Sequence, residues 1–258
     1  MKPAIVVTGA SSGIGRELAR VAAREGAVMV LVGRSRAALD QLVAELRGAA
    51  VEAYGFSIDL AGRDAGQAIE DKLAELGVYC DVLVNGAGFG VFGPAAETDR
   101  DQHLKLVDVN IRALTELSLR FLPGMIERNR GGVLNVGSVT GYAPGPYMSS
   151  YYASKAYVNS FTAALAQEVS GTGVTVTCLS PGVVRTAFFE RCAVGKTRLF
   201  KLAPRSNAPT TAEAAWRAFR AGKRLVIPRL INRIIVAGCI LLPNAIVVRI
   251  VSALQRPR

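Results

Sequence analysis

The sequence is poor in the residues from which metal sites and disulfide frameworks are built. Its 258 residues include four cysteines (Cys80, Cys178, Cys192, Cys239) and one histidine, His103. The cysteines lie far apart and form no Cys-x-x-Cys pair, which argues against a thiolate metal site and against a disulfide scaffold, and points to a reducing, cytoplasmic compartment. His103 sits in the polar stretch Asp101-Gln102-His103-Leu104 and reads as a surface residue at a helix start, so no metal is expected. Met1-Lys2-Pro3 runs almost directly into a strand-like segment and leaves no room for a signal peptide. Internal repeats and low-complexity linkers are absent, which favours one large domain.

Acidic residues are scarce in one place. Residues 1–190 hold 17 basic and 19 acidic side chains, whereas residues 191–258 hold 14 basic and one acidic. Such asymmetry suggests that the C-terminal quarter meets something anionic, or presents a solvated basic face. Aromatic residues are sparse there and no nucleic-acid motif is visible, so nucleic acid is not expected as a partner. An anionic membrane surface suits the tail better. Ile234 to Val248 is an uncharged run of 15 residues broken by Pro243, shorter than the roughly 20 that a spanning helix needs. It predicts two short helices, the second starting near Pro243, bounded by Arg233 and Arg249, with Arg224, Arg229, Arg256 and Arg258 nearby. Peripheral contact of 229–258 with a membrane is one reading. Packing of the tail on its own domain or on a second subunit is the other.

What the chain does have is regular alternation. Ala4–Thr8, Val28–Val32, Val82–Asn85, Val133–Val136 and Val174–Thr177 are short β-branched runs, Val51–Ser57 is a weaker one and Arg224–Ile227 a candidate for the last. Their nearly continuous apolar character fits strands covered on both faces. Between them lie helical patterns such as Arg16–Glu25 and Ala37–Arg47. This predicts an α/β fold: one doubly wound, Rossmann-like domain over 1–228, with about seven mostly parallel strands flanked by helices, followed by a helical C-terminal extension over 229–258.

Strand one runs into Thr8-Gly9-Ala10-Ser11-Ser12-Gly13-Ile14-Gly15 and then a helix. Glycines at such a turn let backbone N–H groups approach a pyrophosphate, and the helix aims its positive end at the same phosphates. Strand two ends in Gly33-Arg34-Ser35-Arg36, without a carboxylate until Asp40. An acidic residue there would bond a ribose 2′-hydroxyl, whereas the planar fork of Arg34, helped by the Ser35 hydroxyl, suits a 2′-phosphate. NADP(H) is therefore expected over NAD(H).

Tyr151 and Lys155 are four residues apart and share a helix face. A phenol with a pKa near ~10 is a poor base at neutral pH, and a neighbouring ammonium is expected to lower that value into acid–base range. Tyr152 is offset by about 100° and lacks the lysine spacing. Ser138 follows strand five, where strand ends open onto a ligand crevice, and its hydroxyl can support charge developing on a substrate oxygen.

Taken in order, Gly9-x-x-x-Gly13-x-Gly15, Asn85-Gly86-Ala87-Gly88, Asn110, Ser138, Tyr151-x-x-x-Lys155 and Pro181-Gly182 resemble the short-chain dehydrogenase/reductase family over about residues 4–190. The resemblance implies an oxidoreductase that moves a hydride between NADP(H) and a carbonyl or alcohol, with Tyr151 as general acid/base, Ser138 on the substrate oxygen, and Lys155 on the nicotinamide ribose. It adds Asn110 and Lys155 as holders of a proton-conducting water chain. It implies cofactor contacts from Gly9, Ser11, Ser12, Gly13, Ile14, Gly15, Asp59 and Leu60. Asn85, Gly86, Ala87, Gly88, Pro181, Gly182, Val184 and Thr186 join them, Thr186 at the carboxamide and Asn85 steadying the sheet. Asn-Gly-Ala-Gly stands here where many relatives have Asn-Asn-Ala-Gly. A lid over about 187–210 is implied, as is a dimer or tetramer. Tyr142, Tyr147, Met148, Phe188 and Phe189 would form an apolar pocket for a lipophilic small molecule. The competing reading is a catalytically idle NADP-binding sensor or scaffold at a membrane surface.

Overall fold

The computed structural model describes residues 1–186, 188, 192 and 197–256. Strands β1 (Lys2–Thr8), β2 (Val28–Gly33), β3 (Ala53–Ser57), β4 (Val78–Asn85), β5 (Gly131–Val136) and β6 (Val174–Leu179) alternate with helices. The helices of this part are α1 (Gly13–Ala23), α2 (Arg36–Gly48), α3 (Ala65–Glu75), α4 (Arg100–Val107), α5 (Leu114–Glu127) and α6 (Ser149–Glu168). After β6 come β7 (Val183–Arg185), α7 (Arg198–Leu202), β8 (Arg205–Asn207), α8 (Ala208–Arg220), β9 (Leu225–Val226), α9 (Leu230–Leu241) and α10 (Asn244–Gln255). One sheet has the order β3-β2-β1-β4-β5-β6-β9 with parallel pairing throughout, and β7 pairs with β8 in a small second sheet. The order reverses between β1 and β4, the switch point at which doubly wound sheets open a crevice beyond their strand ends.

The continuous apolar runs have the predicted cause. Every residue of β2 is buried. On one face Leu18, Leu39, Leu42, Trp216 and Phe219 from α1, α2 and α8 cover the sheet. On the other, Ile69, Leu117, Phe121 and Leu165 from α3, α5 and α6 do so. Strand β4 begins at Val78, four residues before the run that announces it. Asp81 hides its first half, since this buried carboxylate interrupts the apolar pattern yet is held by Arg130 Nη2 at 2.9 Å.

His103 is not the surface residue its polar neighbours suggest. Its ring is half-buried, with Nε2 2.6 Å from Thr98 Oγ1 and Nδ1 2.7 Å from Ser150 Oγ, and so ties the start of α4 to the first turn of α6. The tail forms the two expected helices and folds back on its own domain. Val247 and Val251 of α10 join Met148, Tyr152 and Cys192 in a separate apolar cluster. Among the described residues no helix is long and apolar enough to cross a membrane.

A buried polar chain crosses the middle of the sheet. Asn85 Nδ2 donates to Asn135 Oδ1 at 2.9 Å and to Ser118 Oγ at 3.1 Å, while Asn135 Nδ2 donates to Thr162 Oγ1 at 3.0 Å. It links β4, β5, α5 and α6 where apolar contact alone would let them slide. Replacing Asn135 with Ala strands its partners in the core, so Asn135→Ala is expected to lower unfolding stability by roughly 2–3 kcal/mol, read as a lower urea midpoint at unchanged m-value.

Candidate active site

The crevice starts from two glycine turns pressed together. Gly9 has φ +68°, and a Cβ on it would lie 2.7 Å from the backbone of Gly86 and Ala87. No side chain fits there, so the turns after β1 and β4 meet backbone to backbone. Thr8 Oγ1 completes the joint by accepting the N–H groups of Gly86 at 3.2 Å and Ala87 at 3.3 Å. Helix α1 then begins at Gly13, with its N-terminus facing the crevice.

Helix α6 is fixed against β5 by a polar stripe. Lys155 Nζ donates to Val136 O at 2.7 Å, Asn159 Nδ2 to Ser138 O at 3.0 Å, and Thr162 meets Asn135 as described. The spacing of 155, 159 and 162 puts all three on one face. Together they set Tyr151, one turn ahead of Lys155, over Ser138. The Ser138 hydroxyl is oriented in turn, accepting Thr140 N–H at 3.1 Å and donating to Pro181 O at 3.4 Å.

Burial sets the net direction of the Tyr151 shift, opposite to the lowering expected from a neighbouring ammonium. Burial raises the phenol well above its usual value, with the Ser138 hydroxyl opposing the shift. Burial also lowers the lysine, to about 8. The Lys155 nitrogen sits 5.8 Å from the Tyr151 ring centroid. Spacing revealed the pair, and it could not reveal how far burial displaces both groups.

A cavity of about 460 Å³ brings most of the expected residues together. Gly9, Ser11, Ser12, Gly13, Ile14, Gly15, Arg34, Asp59, Leu60, Gly86, Ala87 and Gly88 line one length of it. Ser138, Tyr151, Lys155, Pro181, Gly182, Val184 and Thr186 line the centre, and Met148 and Phe188 the far end. Arg34 is exposed and forms no ion pair among the described residues, whereas Arg36 is bound to Asp40 at 2.9 Å and Asp59 to Lys105 at 2.9 Å.

Several expected residues lie elsewhere. Ser35 caps α2 by accepting Ala38 N–H, and Asn85 is spent on the sheet centre. Tyr142 ends a short 3-10 turn and packs toward Ser180, away from the cavity wall. Tyr147 adopts φ +68° and also stays out of the lining. Phe189 lies outside the described residues. Asn110, in a wide π-turn over Asp108–Ala113, sits just behind the wall with every polar atom used: Oδ1 accepts Phe89 N–H at 3.1 Å, and Nδ2 donates to Phe89 O and Ser154 Oγ, each at 3.0 Å.

Other lining residues had no signal in the sequence. Asn232, Ile235, Cys239, Val251 and Gln255 come from α9 and α10, and Tyr152 faces them. Gln255 Nε2 donates to Tyr152 OH at 2.7 Å, and its buried Oε1 has no protein partner. Gly182 admits α9, since a Cβ there would lie 2.6 Å from Asn232 Oδ1. Among the described residues, no cluster of His, Cys, Asp and Glu could hold a metal.

The model of the short chain dehydrogenase family matches residues 3–194. A short chain dehydrogenase from Pseudocercospora fijiensis is 38% identical over 184 residues, which is 70% of this chain but 59% of that relative's length. Among solved structures, a short-chain dehydrogenase from Sphingobium yanoikuyae in complex with NADPH is 32% identical, with a TM-score of 0.81 over 88% of each chain. A short chain dehydrogenase/reductase from Burkholderia phymatum in complex with NAD is 26% identical, with a TM-score of 0.82 over 92% of each chain.

The buried Lys155 generates a test by pH. Below pH 8 it is charged in folded and unfolded chains alike, and the folded protein bears the full cost of burial. Between about 8 and 10.5 the folded chain sheds the proton first and the cost fades. Lys155→Met is therefore expected to stabilise the protein at pH 7, by at most roughly 3 kcal/mol and less for the lost bond to Val136. The gain should shrink by pH 10. Urea unfolding at the two pH values checks this, and an equal difference at both would contradict it.

Proposed function

The chain belongs to the short-chain dehydrogenase/reductase family, and on that premise we propose that it is an NADP(H)-dependent reductase of lipophilic aldehydes or ketones, or the reverse alcohol dehydrogenase. The observation that carries this reading is the convergence of Ser138, Tyr151 and Lys155 on one cavity whose other end reaches the unpaired Arg34. The residues present fit a dinucleotide. The first glycine turn, kept free of side chains by its contact with the turn after β4, leaves the α1 N-terminus open to a pyrophosphate. Arg34 is free for a 2′-phosphate, while Asp59 is engaged with Lys105. A solved relative in complex with NADPH supports this preference, and one in complex with NAD marks the alternative.

When bound, the nicotinamide supplies the hydride that adds to the carbonyl carbon. Tyr151 gives its phenolic proton to the carbonyl oxygen, so that carbonyl becomes alcohol. The raised pKa of the phenol keeps that proton in place until charge develops on the oxygen. The Ser138 hydroxyl, held by Thr140 N–H, donates to the same oxygen. Lys155, held by Val136 O beside the Tyr151 ring, stands where it can bond the nicotinamide ribose. Asn110 holds Phe89 and Ser154 in position behind the wall. Met148, Phe188, Ile235 and Val251 give the far end its apolar lining, which suits a lipophilic substrate. An idle sensor would not need this oriented set. Exposed Leu104, Val107 and Leu119 on α4 and α5 offer a homo-oligomer a face of its own.

The test is NADPH consumption across a panel of lipophilic ketones and aldehydes, beside NADH. Tyr151→Phe is expected to lower kcat/KM by roughly 10²–10⁴, and activity surviving in that variant would overturn its role as proton donor. Arg34→Ala is expected to raise KM for NADPH by about ten- to hundredfold with little change for NADH. Equal losses with both cofactors would place Arg34 outside 2′-phosphate recognition.

A further inference from the structure

Helix α9 is apolar almost all round, with Asn232 and Arg233 its only polar side chains besides the thiol of Cys239. Asn232 and Val236 are buried against the domain. On the opposite side Leu230, Ile234 and Leu241 recur at helical spacing and stand 70%, 58% and 82% exposed. The hairpin between α9 and α10 continues this surface with exposed Ile240 and Leu242, and α10 adds Ile246 and Ile250 while turning Val247, Val251 and Gln255 inward. A helix with no polar face stays dry in a core or in lipid, and a contiguous apolar surface of this kind marks something that covers it.

The charges around the hairpin say what that is. Arg229, Arg233, Arg249 and Arg256 are exposed and have no carboxylate partner among the described residues. Glu213, the one acid after residue 190, is paired with Arg24 at 2.5 Å. At 1.5 Å of rise per residue, Arg249 lies roughly 8 Å behind the tip, Arg233 roughly 12 Å and Arg256 roughly 18 Å. An interfacial helix sinks about 5–10 Å, so a buried tip puts the Arg249 guanidinium among lipid phosphates and leaves the other arginines facing the surface from outside. A second copy in the same place would set one basic rim on another, because a twofold contact pairs a surface with itself. Neither helix is long enough to span.

We propose that the α9–α10 hairpin docks the protein on an anionic phospholipid surface, with Ile240, Leu241 and Leu242 inserted and Arg249 on the headgroups. This does not rest on the proposed reaction, and its readout needs no turnover. The full-length protein is spun with vesicles of phosphatidylcholine, alone or mixed with phosphatidylglycerol. It is expected to sediment with the mixed vesicles, less with the neutral ones, and to be released in part by salt. Leu241→Gln should weaken partitioning about tenfold or more on both, and Arg249→Gln a few-fold on the mixed vesicles only. Neither residue lines the cavity, so thermal unfolding and cofactor binding are expected to stay as in the parent. Failure to sediment with mixed vesicles, or sedimentation indifferent to Leu241→Gln, would overturn the proposal. A parent dimer that Leu241→Gln turns to monomer in analytical ultracentrifugation, without vesicle binding, would do so too and assign the face to a second copy.

Discussion

The grip of α6 on β5 is the constraint from which the rest follows. Three polar side chains at helical spacing, Lys155, Asn159 and Thr162, bond to Val136, Ser138 and Asn135 on the strand and just beyond it. A helix packed through leucines can shift by a fraction of an ångström at little cost. One registered by three buried hydrogen bonds cannot, because each bond lost in the core strands a polar group. The same grip decides which helix residue stands over Ser138. It is Tyr151, and the phenol and the hydroxyl meet because the backbone around them has no freedom to part.

Burial governs the charges of the groups so held. Burial pushes the phenol up and the lysine down. The buried ammonium is a standing cost to the fold, the kind tolerated where function needs a displaced pKa. The glycine turns work by the opposite means, keeping side chains out so that backbone donors can serve. One end of the crevice is thus built from absent side chains and the other from tightly held ones.

Much of this was legible in the sequence. Apolar runs, helical spacing and glycines after strands one and four are local signals, and they located the sheet, the turns and the trio Ser138, Tyr151 and Lys155. Misses came where a residue's partner lies far along the chain. Asp81 broke the pattern of β4 because Arg130 compensates it from another element. His103 looked exposed because its partner Ser150 belongs to α6. Tyr152, dismissed for its offset from the lysine, faces the cavity because Gln255 of α10 meets it. Tyr142 and Tyr147 look suited to a pocket by composition, but Tyr142 is drawn toward Ser180 and Tyr147 takes a left-handed backbone conformation outside the lining.

The far wall of the cavity carries a further meaning. The proton transfer proposed above would rest on Ser138, Tyr151 and Lys155, well inside the stretch that matches the family, whereas Asn232, Ile235, Cys239, Val251 and Gln255 come from helices beyond its end at residue 194. The proposed catalytic trio and much of the far wall are therefore written in separate passages of the chain, joined in space by Gly182 and Tyr152. Drift in the second passage can change which molecules are admitted while the first is held fixed. In such an architecture a new specificity arises by rewriting an appendix, without reopening the main text.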